Sequence, residues 1–174
     1  MDNIELHGLV RAIRALEMYP ECLVEIGSYC GGSTVVLGQE AVRRNPSVKI
    51  YAIEPFSFQE PRYQYNYEEP FDRNVAEWGL TANVVKTKMR SNEAALGWSR
   101  KIDFLYVDGD HSYEAVSQDI QNFVPFVRAG GLFAFHDYKP VGKEGVRRAI
   151  DELVIPYYTP AFIAGSLICF TKPM

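Results

Sequence analysis

Residues 102–138 read IDFLYVDGDHSYEAVSQDIQNFVPFVRAGGLFAFHDY. The apolar run 102–107 has the length of a buried strand and ends in Asp108; His111 follows three residues later. A stretch of helical period occupies 112–127, with Val116, Ile120, Phe123, Val124 and Val127 on one face. Gly130 suits the C-terminal cap of that helix. A second apolar run, 131–136, leads into His136–Asp137. Strand, helix and strand of these lengths predict a parallel crossover. Consecutive parallel strands bring their last residues to one edge of the sheet, and ligands bind at that edge. The spacing therefore places Asp108, His111, His136 and Asp137 side by side. Carboxylates and imidazoles grouped in this way suit a metal-assisted deprotonation.

The same alternation continues in both directions. Residues 4–18 put Leu6, Leu9, Val10, Ile13 and Leu16 on one helical face, and Pro20 ends that helix. Cys22–Ile26 reads as a short buried strand running into Gly27, and a glycine-rich turn opens a helix over 32–44. Strands are predicted at 48–53, 83–88 and 102–107, with helices at 72–79 and 91–98 between them. A helix over 143–153 carries Val146, Ile150 and Leu153. Two last strands, 157–163 and 166–171, are joined by Gly165–Ser166, whose tight turn makes them antiparallel. The pattern is that of an α/β three-layer sandwich, Rossmann-like, with a mostly parallel sheet.

The totals narrow the function. The chain has 174 residues and reads as a single domain over 1–174. Hydrophobic residues make up 47%, which excludes disorder. A net charge of −4 without a Lys/Arg-rich run argues against nucleic-acid and anionic-membrane partners. Cys22, Cys30 and Cys169 form no CxxC pair, and Cys22 and Cys169 sit in apolar runs as small core hydrophobes. With neither a signal peptide nor a membrane-length apolar run, the expected location is cytoplasmic.

The first strand runs into Glu25-Ile-Gly27-Ser28-Tyr29-Cys30-Gly31-Gly32-Ser33-Thr34. Glycines here let the backbone take positive φ and approach a ligand closely. The dinucleotide fingerprint G-x-G-x-x-G is not met, because Tyr29 stands where its second glycine belongs, and no P-loop is present. Glu25, Gly27 and Gly31 instead resemble the acidic-x-G-x-G-x-G motif of class I S-adenosylmethionine-dependent methyltransferases. Tyr29-Cys30-Gly31 is similar to the aromatic-Cys-Gly turn of their catechol-type O-methyltransferases. The resemblance covers about residues 20–172 and implies a seven-stranded sheet whose last strand is antiparallel. Glu54, ending the second strand, is placed to accept hydrogen bonds from a ribose cis-diol. Ser91 corresponds by position to an adenine contact, and reads equally as a helix N-cap. The cofactor contacts implied are Glu25, Gly27, Ser28, Tyr29, Gly31, Ser33, Glu54, Ser91 and Asp108.

VDGDHSYEAV and GGLFAFHDY together resemble the small metal-dependent sugar and natural-product O-methyltransferases. That resemblance implies Asp108, His136 and Asp137 as metal ligands, with Asp108 also catalytic. His136 departs from the acidic residue common in relatives. An all-oxygen site suits magnesium, whereas an imidazole moves preference toward manganese, iron or zinc. The cofactors expected are S-adenosylmethionine and a divalent metal, magnesium or manganese. His111 matches the position of a general base in relatives. Its imidazole suits proton removal from an alcohol near neutral pH. Plainer readings exist for each: Asp110 or Ser112 can cap the helix that follows, and a lone histidine is more often a hydrogen-bonded structural residue.

Residues 55–71, PFSFQEPRYQYNYEEPF, break the rhythm. Phe56, Phe58, Tyr63, Tyr65, Tyr67 and Phe71 offer faces for a sugar or aromatic acceptor, so the segment reads as an irregular lid or acceptor loop. The alternation of Tyr63, Tyr65 and Tyr67 equally fits an edge strand or a dimer contact. The chain is short for the resembled family. Only the N-terminal helix and residues 55–71 can cover a small-molecule acceptor, unless a homo-oligomer supplies the rest. Two rivals stand beside this reading. One is a nucleotide-dependent enzyme such as a dehydrogenase, against which Tyr29 and the lack of a Tyr-x-x-x-Lys pair argue. The other is a non-catalytic S-adenosylmethionine-binding module, which would not need Asp108 and His111.

Overall fold

Amphipathic stretches and apolar runs alternate along the chain, and each becomes one helix or one strand. The computed structural model describes residues 2–60, 63–139 and 142–174. In chain order the elements are α1 (Asn3–Ala15), β1 (Cys22–Ile26), α2 (Gly32–Arg44), β2 (Lys49–Ile53), β3 (Ser57–Glu60), β4 (Tyr63–Asn66), α3 (Glu68–Glu77), β5 (Val84–Thr87) and α4 (Ser91–Leu96). There follow β6 (Ile102–Val107), α5 (Tyr113–Phe123), a 3-10 turn (Val124–Phe126), β7 (Val127–Phe135), α6 (Glu144–Leu153), β8 (Pro160–Ala164) and β9 (Leu167–Thr171).

Seven strands form one sheet in the order β5-β2-β1-β6-β7-β9-β8. The strands from β5 to β7 are parallel, and β9, the last in the chain, runs antiparallel to both its neighbours. From β1 the chain first winds outward through β2 to β5, then returns to the other side of β1 with β6. The order reverses between β1 and β6, and an open parallel sheet binds ligands at such a reversal.

Period-two alternation sends strand side chains to two faces. Val24, Ile26, Leu105, Val107, Phe133 and Phe135 face one way, against Val116, Ile120 and Phe123 of α5 and Val146 and Ile150 of α6. Leu23, Phe104, Leu132 and Ala134 face the other, against Leu9, Ala12 and Ile13 of α1 and Leu37 and Ala41 of α2. The result is three layers. Each fully buried Ile, Leu or Phe contributes about 1.5–3 kcal/mol. Packing on the sheet thus outweighs the small intrinsic propensities of short helices such as α5.

Several sequence-based boundaries move. Gly130 does not cap α5: that helix ends at Phe123, a 3-10 turn containing Pro125 follows, and β7 already begins at Val127. Pro125 lacks the N–H that further helix would need. Gly130 lies inside β7 with φ 73°, donating its N–H to the Lys172 carbonyl. The segment 55–71 is not irregular throughout. Its middle forms an antiparallel hairpin, β3 with β4, in which Phe58 pairs with Tyr65, and Glu68–Phe71 begin α3. The predicted strand 157–163 starts only at Pro160, because the N–H groups of Tyr157 and Tyr158 turn back to the Val154 carbonyl.

Candidate active site

The carboxyl ends of β1, β2, β6 and β7 carry the site. Gly27 follows β1 with φ 88°, and a Cβ there would collide with the Asp108 carbonyl at the end of β6. Only glycine lets these two strand ends come so close. Gly31, φ 83°, is the N-cap of α2. Between them Ser28 is buried and Tyr29 is exposed. Tyr29 (φ 45°), Phe56 (φ 59°) and Asp137 (φ 57°) are the non-glycine residues with left-handed backbone among the described residues. All three follow strands at this one edge. Such conformations cost energy and concentrate where the surrounding fold holds a functional geometry.

On the cofactor side, Glu25 is fully buried beneath the turn and accepts a hydrogen bond from the Thr34 hydroxyl. Burial pushes its carboxyl up to about 7, against the opposing effect of the Ser33 and Thr34 hydroxyls. Its Oε1 and the Ser28 Oγ are buried without a hydrogen-bond partner in line. Unpartnered buried polar atoms beside a glycine turn suit a ligand or water that satisfies them. Glu54 directly follows β2 and accepts from Tyr67 Oη at 3.1 Å, the Tyr29 N–H at 3.3 Å and the Phe56 N–H at 3.4 Å. The Tyr29 and Tyr67 rings lie 4.7 Å apart beside it. Ser91 is the first residue of α4 rather than its N-cap, which is Arg90, and its hydroxyl lies near enough to the buried Asp119 to favour that carboxylate. The side chains of Phe58, Tyr63 and Tyr65 lie outside the described residues.

On the other side, all four residues singled out at the two strand ends meet. Asp108, His111 and Asp137 each offer a ligand atom, and these atoms lie within 4.8 Å of one another. His111 Nε2 is 2.9 Å from Asp137 Oδ2. His136 Nδ1 is 3.2 Å from Asp108 Oδ1 and 3.2 Å from Asp137 Oδ1, without an in-line hydrogen bond to either. Its Nε2 is 3.2 Å from Glu5 Oε2. Burial alone would lower the His136 pKa; Asp108, Glu5 and Asp137 outweigh it and raise the value to about 9. Tyr106 Oη donates to Asp108 Oδ2 at 3.0 Å. Ser112 caps α5 by accepting the Ala115 N–H, so the plainer reading holds for it; Asp110 accepts the Ser112 N–H just outside the helix and does not cap it. Two carboxylates and an imidazole fit a divalent cation of the magnesium–manganese kind.

Two residues not singled out in the sequence belong to the cluster. Glu5 of α1 accepts from the Ser166 N–H and hydroxyl while facing His136. Burial would raise the Glu5 pKa, yet hydrogen bonds from Ser166, from the Asp2 N–H and from His136 hold it down at about 2. Lys143 brings Nζ to 2.7 Å from His111 Nδ1. Neither lies in a motif; their only sequence cue is a charge at the end of a helical pattern.

A parallel sheet reversing at β1 and β6, an acidic-glycine turn on β1, an acid ending β2 and an antiparallel last strand define the class I methyltransferase fold. The profile of a methyltransferase domain family matches residues 24–138, and the chain belongs to that family. An uncharacterized protein, R132, of Acanthamoeba polyphaga mimivirus is 25% identical over 169 residues, which span 91% of this chain and 72% of that protein. The O-methyltransferase NovP superposes with a TM-score of 0.79 at 18% identity, over 98% of this chain and 80% of that one. The O-methyltransferase TomG of Streptomyces achromogenes, involved in tomaymycin synthesis and solved with S-adenosylmethionine, gives a TM-score of 0.72 at 16% identity, over 99% and 81%. No helix among the described residues is long and apolar enough to cross a membrane.

Proposed function

We propose that this protein transfers the methyl group of S-adenosylmethionine to a hydroxyl of a small molecule, a sugar or another natural product, with a divalent ion assisting. One observation carries the reading: the glycine turn and the acid–imidazole cluster are a single edge, joined where Gly27 packs on Asp108. A site for a sulfonium donor therefore adjoins groups suited to deprotonate an alcohol.

In this reading Glu54 accepts the ribose hydroxyls, and Gly27, Ser28, Gly31 and Ser33 line the cofactor backbone. Asp108 and Asp137 would hold the ion, and His136 Nδ1, 3.2 Å from an oxygen of each, would join them as third donor only on giving up the proton that these acids hold on the ring. When bound, the ion lowers the pKa of a nearby hydroxyl. His111 takes the hydroxyl proton at Nε2 as the oxygen attacks. The O–CH3 bond forms, the S–CH3 bond breaks, and its electron pair stays on sulfur as a neutral thioether. No covalent enzyme intermediate is needed. Tyr29 and Tyr67 present ring faces beside the turn, which suit a sugar or aromatic acceptor. TomG, an O-methyltransferase involved in tomaymycin synthesis, supports a natural product as acceptor.

Calorimetry tests the donor half. S-adenosylmethionine is expected to bind with about 5–9 kcal/mol, and Glu54→Ala to weaken it at least tenfold. Equal affinity for the variant would remove Glu54 from the ribose site. Anomalous diffraction from crystals soaked in manganese tests the other half, with a peak expected at about 2.0–2.6 Å from Asp108 and Asp137. No peak at millimolar manganese, with cofactor present, would sink the metal.

A further inference from the structure

Lys143 stands where a cation is needed by the neighbouring acids. It is the N-cap residue of α6, and its side chain makes no capping hydrogen bond. Two features aim it at the site. Gly145 lets the first turn of α6 press on the His111–Tyr113 backbone: a Cβ there would lie 2.6 Å from the His111 carbonyl oxygen and 2.7 Å from the Tyr113 nitrogen. Gly142, φ 88°, precedes it and donates its N–H to Glu144 Oε1 at 3.0 Å. Lys143 Nζ thereby reaches 2.7 Å from His111 Nδ1 and 3.6 Å from Asp137 Oδ2.

This contact sets the hydrogen bonds of the whole group. An ammonium has three donors and no acceptor, so His111 Nδ1 must accept from it. Neutral His111 then carries its proton on Nε2 and donates to Asp137 Oδ2, 2.9 Å away. Lys143, His111 and Asp137 close a ring in which both imidazole nitrogens are engaged. Asp137 is mostly buried, its side chain only 15% exposed. A carboxylate so placed is costly without compensating charge; the His136 ring faces its Oδ1 at 3.2 Å, and Lys143 is the cation on its Oδ2 side. A divalent ion at the same carboxylate supplies that charge instead, and an ammonium beside such an ion repels it.

We infer that Lys143 is a tethered cation that competes with the divalent ion for Asp137: its ammonium faces that carboxylate in the metal-free protein, and metal binding displaces it. The inference rests on the proposed metal site and adds a residue that sets its affinity. It also bears on the base: while Lys143 occupies Nδ1 the His111 proton sits on Nε2, and only when Lys143 leaves can the proton move to Nδ1 and free Nε2 to accept one.

Manganese affinity reads this directly, and no acceptor need be known. Titration of the full chain with manganese alone, followed by calorimetry and by the paramagnetic resonance of free ion, is compared for wild type, Lys143→Met and Lys143→Arg. Loss of a unit charge a few ångströms from a divalent ion is expected to tighten binding at least about tenfold in Lys143→Met. Lys143→Arg, which keeps the charge, should stay close to wild type. Thermal melts check that both variants fold, as expected for a side chain about one-third exposed. If wild type binds manganese and Lys143→Met binds it equally or more weakly, competition by Lys143 is overturned and the metal site stands. If neither wild type nor Lys143→Met binds at millimolar manganese, both ideas fall together.

Discussion

Gly27 has the least freedom of any residue at the site. Its φ of 88° disfavours every side chain, and its Cβ position is filled by the Asp108 carbonyl. Gly27→Ala must therefore push β1 and β6 apart at their ends. S-adenosylmethionine affinity in calorimetry should fall beyond detection, with a thermal midpoint several degrees lower. A variant that binds normally would show that the two strand ends have room to give. His111 presents the opposite case, a residue whose removal should leave the fold alone. Positioned base catalysis contributes about 10²–10⁴-fold. His111→Ala should lower turnover of an accepted hydroxyl substrate by that order while cofactor affinity stays within about twofold. Unchanged turnover would move the base elsewhere, with Asp110 next in line. Both residues were legible from local sequence, since each sits at a fixed offset from a strand end. Glu5 was not: it lies about a hundred residues before the cluster it touches.

Among the elements, α6 shows how packing completes a site. Its strong amphipathic pattern announces a helix, and Val146, Ala149 and Ile150 are buried as that pattern requires. The pattern does not reveal that its first turn lies against His111. Gly145→Ala tests that contact. Overpacking against backbone typically costs about 1–3 kcal/mol, and the shift should carry Lys143 off the His111 ring. Chemical denaturation measures the first effect. Manganese titration measures the second, with affinity moving in the direction of Lys143→Met. The hairpin β3–β4 was half legible: the alternation of Tyr63, Tyr65 and Tyr67 fits a strand, as β4 is, but its partner strand was not read. Three prolines and a crowd of aromatics obscure a pairing of only four residues on each side. A pairing so short leaves little local signal in the sequence. Gly130 misled through the opposite fault: a glycine after an apolar helix suits a cap, yet Pro125 had already ended the helix.

Across the whole molecule, buried acids make stability depend on pH. Glu25 is held at about 7 against an ordinary 4.5, chiefly by burial. Burial likewise raises Asp119 from 3.8 to about 6, with the Ser91 hydroxyl opposing and Asp110 adding to the rise. In each case the folded state favours the protonated form. The stability that Glu25 confers is complete below about pH 4.5 and is lost as pH rises through 7. At about 1.4 kcal/mol per unit this is on the order of 3 kcal/mol for Glu25. Glu25→Gln cannot ionise. Its melting curve should gain on wild type steadily between pH 4.5 and 7 and run parallel to it on either side. Parallel curves throughout would mean that Glu25 is solvated in the native state.

The order of motifs along the chain determined the fold class, the parallel-then-antiparallel sheet and the meeting of Asp108, His111, His136 and Asp137. These follow from periodicity and from the rule that parallel strands end at a common edge, both of which are local or nearly so. Only the tertiary structure decided what those side chains face. Glu5 reaches the cluster because α1 packs beside β8 and β9, and Lys143 reaches it because Gly145 lets α6 approach. Hydrogen-bond partners between distant segments depend on distances of a few ångströms, set by how whole layers pack. No spacing within one segment encodes them.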